Sequence, residues 1–231
     1  MTARGLFVVG TDTGVGKTRV AAGLLTAYGR LGHRCVGMKP VAAGAELQNG
    51  AWVNEDVERL KAASTLTAAE DLVNPYLFRE AIAPHIAADH KGAVMEVPRM
   101  RAAYEALARM ADVVVVEGAG GLLVPLSATQ DMADVALALG LPVILVVGMR
   151  LGCLNHALLT REALAHRGLD LAGWVANRLD GSMAAYGENL ATLEGRLGVP
   201  LLADLPFAPE ASAERVADRF SPKRLNRLLF T

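Results

Sequence analysis

Aromatic residues are scarce in this 231-residue chain, at 5%, so few rings are available to stack on nucleic-acid bases. Charge of one sign is also missing. Lys+Arg number 23 against 24 Asp+Glu, and the net charge of -1 gives no global field toward nucleic acid or an anionic membrane. Two cysteines, Cys35 and Cys153, are too few for a disulfide framework or a tetrahedral zinc site, which fits a reducing cytosolic compartment. Long hydrophobic runs are absent. The longest stretch without a polar residue, Val135 to Met149, falls short of the ~20 residues that span a bilayer. It is broken by Gly140-Leu-Pro142, which reads as a helix end followed by a buried strand. At the start, Met1-Thr2-Ala3-Arg4 leads directly into an apolar run that stops at Gly10, too short for a signal peptide's core and cleavage site. A soluble cytoplasmic protein is expected. The histidines at 33, 85, 90, 156 and 166 show no metal-ligand spacing and read as structural or surface residues.

What is present is apolar and regularly spaced. Hydrophobic residues make up 52% and charged residues 20%, which excludes a disordered chain and allows a large core. Six short runs are apolar on both faces: Leu6 to Val9, Cys35 to Met38, Val113 to Val116, Val143 to Val147, Leu171 to Ala176 and Val199 to Leu202. Such runs suit a parallel sheet covered by helices on both sides. Helical patterns fill the gaps: Lys17 to Leu31, Asp56 to Ala63, Met100 to Met110, Met132 to Leu139, Asn155 to Arg167 and Ala184 to Leu197. The alternation, with no long Gly/Ser/Pro linker, predicts one doubly wound α/β domain over residues 1–231. Val41 to Val97 is the least regular part and reads as an insertion beside the site.

The strongest chemical signal is Gly10-Thr-Asp-Thr-Gly14-Val-Gly16-Lys17-Thr18, after the first strand and opening the first helix. Such a loop aims backbone N–H groups at phosphate oxygens, and the helix N-terminus adds partial positive charge. In a P-loop, Lys17 reaches the β/γ-phosphates and the Thr18 hydroxyl sits on Mg2+. The spacing is not the strict form, because Thr11 stands where the first glycine is expected and Gly10 is one residue earlier. The second signal is Val113-Val-Val-Val-Glu117-Gly118-Ala119-Gly120-Gly121. An acidic residue at the carboxyl end of an apolar strand is where P-loop enzymes place a magnesium-associated carboxylate. A glycine-rich turn with a solvated glutamate is the plainer alternative. Lys39 closes the second strand, where it either neutralises a transferring phosphoryl group or is merely solvated. Asp56 is either a helix-start carboxylate or part of the site. The segment Leu151-Gly-Cys-Leu-Asn155 precedes a helix whose exposed N–H groups suit a carboxylate, with Asn155 as an ordinary N-cap the alternative. Cys153 reads as a small packed residue.

Taken together, these pieces resemble the dethiobiotin synthetase family over nearly the whole chain. The resemblance is carried by residues 10–18, Lys39-Pro-Val-Ala42, Asn74-Pro-Tyr76 with Pro84-His85, Val116 to Gly121, Val146 to Ala157, Gly173 to Asn177 and Leu205-Pro206. It implies a seven-stranded parallel sheet, and a homodimer with sites at the subunit interface. It implies ATP, Mg2+, CO2 and 7,8-diaminononanoate as ligands. By that resemblance Thr18, Asp56 and Glu117 surround Mg2+, while Lys17 and Lys39 are the catalytic cations. Gly14, Val15, Gly16, Arg19, Gly118, Ala119 and Gly120 join Lys17 and Thr18 around the nucleotide. Asn177, Arg178, Pro206, Phe207 and Ala208 lie toward its adenine. Thr11, Ala43 and Gly152, Cys153, Leu154 and Asn155 contact the substrate, the last four holding its carboxylate from the partner chain. Three departures stand out: Ala43 replaces a frequent serine, Ala81 and Ala83 replace a proline and a serine, and Arg150 replaces a lysine.

Two other classes compete. A partition or metal-chaperone switch ATPase would carry an extra lysine early in the loop, and Thr11-Asp12-Thr13 has none. An amide ligase of the cobyrinic-acid synthetase type would append a glutaminase domain, for which the chain is too short. A nucleotide-binding protein without catalysis is the remaining alternative.

Overall fold

The computed structural model describes residues 4–208 and 211–229. Met1 to Ala3, on which the reading of a targeting segment bears, lie outside the described residues. The chain opens with β1 (Arg4–Gly10), α1 (Lys17–Arg30) and β2 (Cys35–Met38). An irregular stretch follows: β3 (Val41–Ala43), β4 (Glu46–Gln48), β5 (Ala51–Val53), α2 (Glu55–Ala63), α3 (Glu70–Val73), β6 (Tyr76–Phe78) and α4 (Pro84–Lys91). Regular alternation then resumes with α5 (Val97–Met110), β7 (Val113–Gly121), α6 (Met132–Leu139), β8 (Val143–Met149), α7 (Cys153–His166), β9 (Leu171–Arg178), α8 (Tyr186–Leu197) and β10 (Leu201–Leu205). Two helices close it, α9 (Ala213–Ala217) and α10 (Pro222–Leu229).

The main sheet runs β10-β9-β8-β1-β7-β2, every neighbouring pair parallel. It has six strands among the described residues, where the family resemblance implies seven. All six apolar runs become its strands. Beside β2 the outward N–H groups of Cys35 and Gly37 donate to Thr65 Oγ1 at 2.7 Å and Ser64 Oγ at 3.0 Å, so that edge is occupied without a further strand. Past Met38 the strand breaks, because Pro40 has no N–H to continue a ladder and the Lys39 amide turns to Val73 O. Beyond that break β3 pairs with β6 in a separate two-stranded sheet, and β4 and β5 form an antiparallel hairpin.

Alternation along the strands builds two cores. Leu6 and Val8 face α1, α9 and α10, packing with Val20, Leu24, Val216 and Leu225. Phe7 and Val9 face the opposite layer, with Met100 and Leu107 of α5, Leu164 of α7 and Leu193 of α8. Each such fully buried side chain contributes about 1.5–3 kcal/mol, which is why the strands read as continuous apolar runs. β1 lies between β7 and β8, so the chain crosses over β1 after completing the β2 side of the sheet. Crevices at such switch points, outside the carboxyl ends of the strands, are where open α/β sheets bind ligands. The loop after β1, Lys39, Glu117 and Gly152 all gather at that edge.

No helix among the described residues is long and apolar enough to cross a membrane. Both cysteines are buried and unpaired, and burial pushes the Cys35 thiol up to about 12.

Candidate active site

The loop after β1 is shaped by close packing. Thr11 still belongs to the edge of the sheet, its N–H donating to Val146 O at 3.0 Å. The chain then turns so tightly that a Cβ on Gly10 would stand 2.6 Å from Val15 Cγ2. This explains the long spacing: the first glycine is required where the loop folds back on itself. Gly16 has φ 93, and a Cβ there would stand 2.2 Å from Asn177 Nδ2. Only glycine meets both demands.

Lys17 opens α1 and is 7% exposed, with Nζ donating to Asp12 O at 3.0 Å across the loop. Burial lowers its pKa to about 8, while Glu117 opposes that shift and Lys39 adds to it. Lys39 is equally enclosed. Its Nζ donates to Asp56 Oδ2 and to Glu117 Oε1, both at 2.6 Å. Burial works against its charge, but the two carboxylates outweigh it and hold the ammonium above its ordinary value. Asp56 is also desolvated, yet Lys39 keeps it below the usual carboxylate range. Glu117 is fully buried, and there burial wins over Lys39 and raises it.

Thr18 Oγ1 lies 2.7 Å from Asp56 Oδ1 and 2.8 Å from Glu117 Oε1. A hydroxyl has one proton and can serve only one of these oxygens at a time. Glu117 Oε2 is buried without a hydrogen-bond partner among the described residues. Three convergent oxygens, an excess of acceptors and only two carboxylates suit Mg2+, which is held by one or two carboxylates plus substrate phosphates. The donor set therefore fits that ion.

These groups line a cavity of about 720 Å³. Its floor is polar, from Lys17, Thr18, Lys39, Asp56 and Glu117, while Val41, Ala43, Ala81, Ile82, Ala83, Pro84, Val124 and Pro125 make an apolar wall. Ala43 and Ala83, which stand where the resemblance expects serines, thus leave that wall without two hydroxyls. Val8 pairs with Glu117 but Gly10 pairs with Gly121, so β7 bulges between them. The bulge brings Ala119 and Gly120 to the cavity, while Gly118 stays behind, close to Met132 and Phe7.

A family model described as an AAA domain matches residues 4–215. The ATP-dependent dethiobiotin synthetase BioD of Aromatoleum aromaticum is 54% identical over 214 residues, covering 93% of this chain and 95% of that protein. The ATP-dependent dethiobiotin synthetase BioD of Nitrosospira multiformis is 54% identical over 204 residues, covering 88% of each. The chain belongs to the dethiobiotin synthetase family. Among solved structures, the MinD cell division protein of Aquifex aeolicus superposes with TM-score 0.59 at 16% identity, covering 98% of this chain and 97% of that one. A ParA family ATPase from Chlorobium tepidum gives 0.57 at 15%, covering 97% and 96%. These two share the fold alone.

Other residues expected at a dethiobiotin synthetase site fall into three groups. Asn177 is buried behind the P-loop, its Nδ2 donating to Val15 O at 2.8 Å and its Oδ1 accepting from Arg19 at 2.9 Å. That leaves one N–H and one acceptor site of the amide for a ligand. Arg19 also donates to Pro206 O at 3.3 Å. Arg178 follows Asn177 on the strand and so points to the other face. Its guanidinium donates to Asp204 at 3.0 Å and stacks 3.6 Å from the Tyr186 ring. Phe207 is half-exposed, and Ala208 beside it is intermediate.

The third group lies apart from the cavity. α7 begins at Cys153 with Gly152 as N-cap at φ 95, so Asn155 lies within the first turn and is not the cap. The Cys153 side chain is in the core, and its N–H donates to Arg150 O. None of Gly152, Cys153, Leu154 or Asn155 lines the cavity of its own chain. Thr11 does not line it either, whereas Thr13 does. Thr13 escaped sequence reading because only the Asp12 turn, with the Thr13 N–H donating to Asp12 Oδ1 at 2.7 Å, decides which threonine faces in. Arg59 was also missed, since one arginine on a charged helix carries no signal.

Proposed function

We propose that this chain forms dethiobiotin from 7,8-diaminononanoate, CO2 and ATP, a step in biotin biosynthesis. The observation that carries the reading is buried Lys39 bridging Asp56 and Glu117 beside the buried P-loop lysine, Lys17, opposite an apolar wall. The polar floor suits a polyphosphate and its acceptor. The apolar wall suits the methylene chain of the diamine.

One amine takes up CO2 as a carbamate. A carbamate oxygen attacks the γ-phosphorus of ATP, ADP leaves, and a carbamic–phosphoric anhydride forms. The second amine attacks its carbonyl carbon, closes the five-membered ring and expels phosphate, with the amine protons passing to solvent. No side chain becomes covalent, so the protein's work is positioning and charge neutralisation. Lys17 steadies the β/γ-phosphates. Lys39 stabilises charge developing between acceptor and phosphoryl group. Thr18, Asp56 and Glu117 would hold Mg2+, which when bound supplies positive charge to the phosphate oxygens. Enclosure protects the anhydride from water.

The working unit in this reading is a cytoplasmic homodimer of a single-domain chain over residues 1–231. Gly152 to Asn155 of one protomer receives the carboxylate of the substrate held by its partner. Two features support this. The segment lies outside its own chain's cavity, and Leu151 beside it is 98% exposed. The test is incubation with ATP, bicarbonate and 7,8-diaminononanoate, with mass detection of a product bearing one added carbonyl. Formation of that product with ADP is expected. ATP hydrolysis without it would sink the reading in favour of a switch ATPase.

A further inference from the structure

A second groove, of about 660 Å³, runs beside the cavity between α1, α2 and α9. Among the described residues, only Thr18, Arg19 and Arg59 border both spaces. Thr18 and Arg19 are fixed by the carboxylates and by Asn177 and Pro206. Arg59 is not fixed in this way. It stands one turn of α2 beyond Asp56 and on the same face, and its guanidinium bonds to Glu55 Oε1 at 2.5 Å. Both partners are largely exposed, at 57% and 77%. An exposed pair of that kind is worth little and exchanges partners readily.

We propose that Arg59 contacts the polyphosphate of the bound nucleotide, leaving Glu55 to do so, and that Glu55 competes with the nucleotide for it. The inference rests on the nucleotide reading of the P-loop. In that reading a triphosphate cradled by the loop at Thr13, Gly14 and Gly16 would lie beside the neck that Thr18, Arg19 and Arg59 border, within reach of the Arg59 guanidinium. It carries five donors in a fork that matches phosphate oxygens. Nothing in the P-loop or the carboxylate pair needs it, so its contribution is to nucleotide affinity and not to the chemical step. The competition gives a signature that a structural role on α2 would not produce. Were Arg59 only stabilising the helix through its pair with Glu55, removing either partner would act in the same direction. Were it a phosphate contact, the two removals act in opposite directions.

The experiment measures ATP and ADP dissociation constants calorimetrically for the intact protein and for Arg59→Gln, Arg59→Lys and Glu55→Gln, with kcat at saturating ATP. Arg59→Gln should weaken both nucleotides roughly threefold to fivefold, the range for a partly exposed charged contact, with kcat within about twofold. Arg59→Lys should recover part of the loss, since it keeps the charge without the fork. Glu55→Gln should tighten binding about twofold by releasing Arg59. Unchanged affinity in Arg59→Gln, or weakening by Glu55→Gln as well, would overturn the proposal. Wild-type protein that bound no ATP would instead overturn the P-loop reading beneath it.

Discussion

The two sides of the cavity are built in opposite ways. The polar side is a closed network: Lys39 ties Asp56, 17 residues away, to Glu117, 78 residues away, and Thr18 touches both. Every member is drawn from a different element, and every side chain there has its position set by another. The apolar side is Val41, Ala43, Ala81 to Pro84, Val124 and Pro125, drawn largely from the irregular stretch after β2. It offers shape with little to hydrogen-bond. A site that transfers a phosphoryl group needs its charges fixed in advance, because reorienting them during the reaction would cost what they stabilise. The acceptor, an aliphatic diamine in the proposed reaction, brings its own nucleophiles and needs only to be held close.

From that contrast, damage to the polar side should be severe and specific, and damage to the apolar side mild. Glu117→Gln is expected to have the largest effect. Removing one partner of a buried ion pair costs 3–5 kcal/mol, and since Asp56 still serves Lys39, a loss of about 3 kcal/mol in urea unfolding is expected. The same variant should need more Mg2+ for activity, read from a metal titration.

Next comes Lys17→Ala. Losing a charge-assisted phosphate contact should weaken ATP binding by roughly 1.5–3 kcal/mol. The free protein should not lose stability, because burial already disfavours the Lys17 charge. Calorimetry for the first and thermal unfolding without nucleotide for the second check the pair.

The third prediction concerns pH, with metal removed by chelator. Burial lowers Lys17 to about 8, so its ammonium is present below that pH and lost above it. ADP affinity should therefore be flat below about 8 and fall as pH rises through it. Bound phosphate favours the charged form, so binding above pH 8 should take up a proton, seen as buffer-dependent heat. A flat profile to pH 9.5 would contradict this.

The smallest effect is expected on the other wall. Ala43→Ser adds one hydroxyl near the acceptor and should change the diamine KM by less than about fivefold, within the ~1 kcal/mol net worth of one hydrogen bond. ATP affinity should not change. A large effect on ATP would mean the two walls are coupled.

Legibility followed the same divide. Six apolar runs are six strands of the sheet, since burial on both faces writes itself into composition. Their limits shift where a single residue intervenes: the last strand begins at Leu201, not Val199, just after Pro200. α7 begins two residues before Asn155 because a glycine at positive φ caps it, and nothing in the sequence distinguishes that glycine from one in a loop. The P-loop was legible because its backbone geometry demands glycines at set places. The bridge from Lys39 to Asp56 and Glu117 was not, since pairing across 17 and 78 residues depends on which strands become neighbours. The β3–β6 pairing escaped for the same reason. Alternation on β9 would have separated Arg178 from Asn177, because consecutive strand residues face opposite ways.

The central claim is that Lys39 acts on charge that develops during transfer and not on bound ATP. Lys39→Met tests it most directly: the side chain keeps its length, and Glu117, already raised by burial, can take a proton once the cation is gone. Single-turnover rates and ATP dissociation constants should be measured on the same preparation. The account predicts a rate lowered about 10²–10³-fold, with ATP affinity within about threefold of wild type. A variant that turned over at the wild-type rate once saturated, with ATP binding alone weakened, would make Lys39 a ground-state contact and contradict the account.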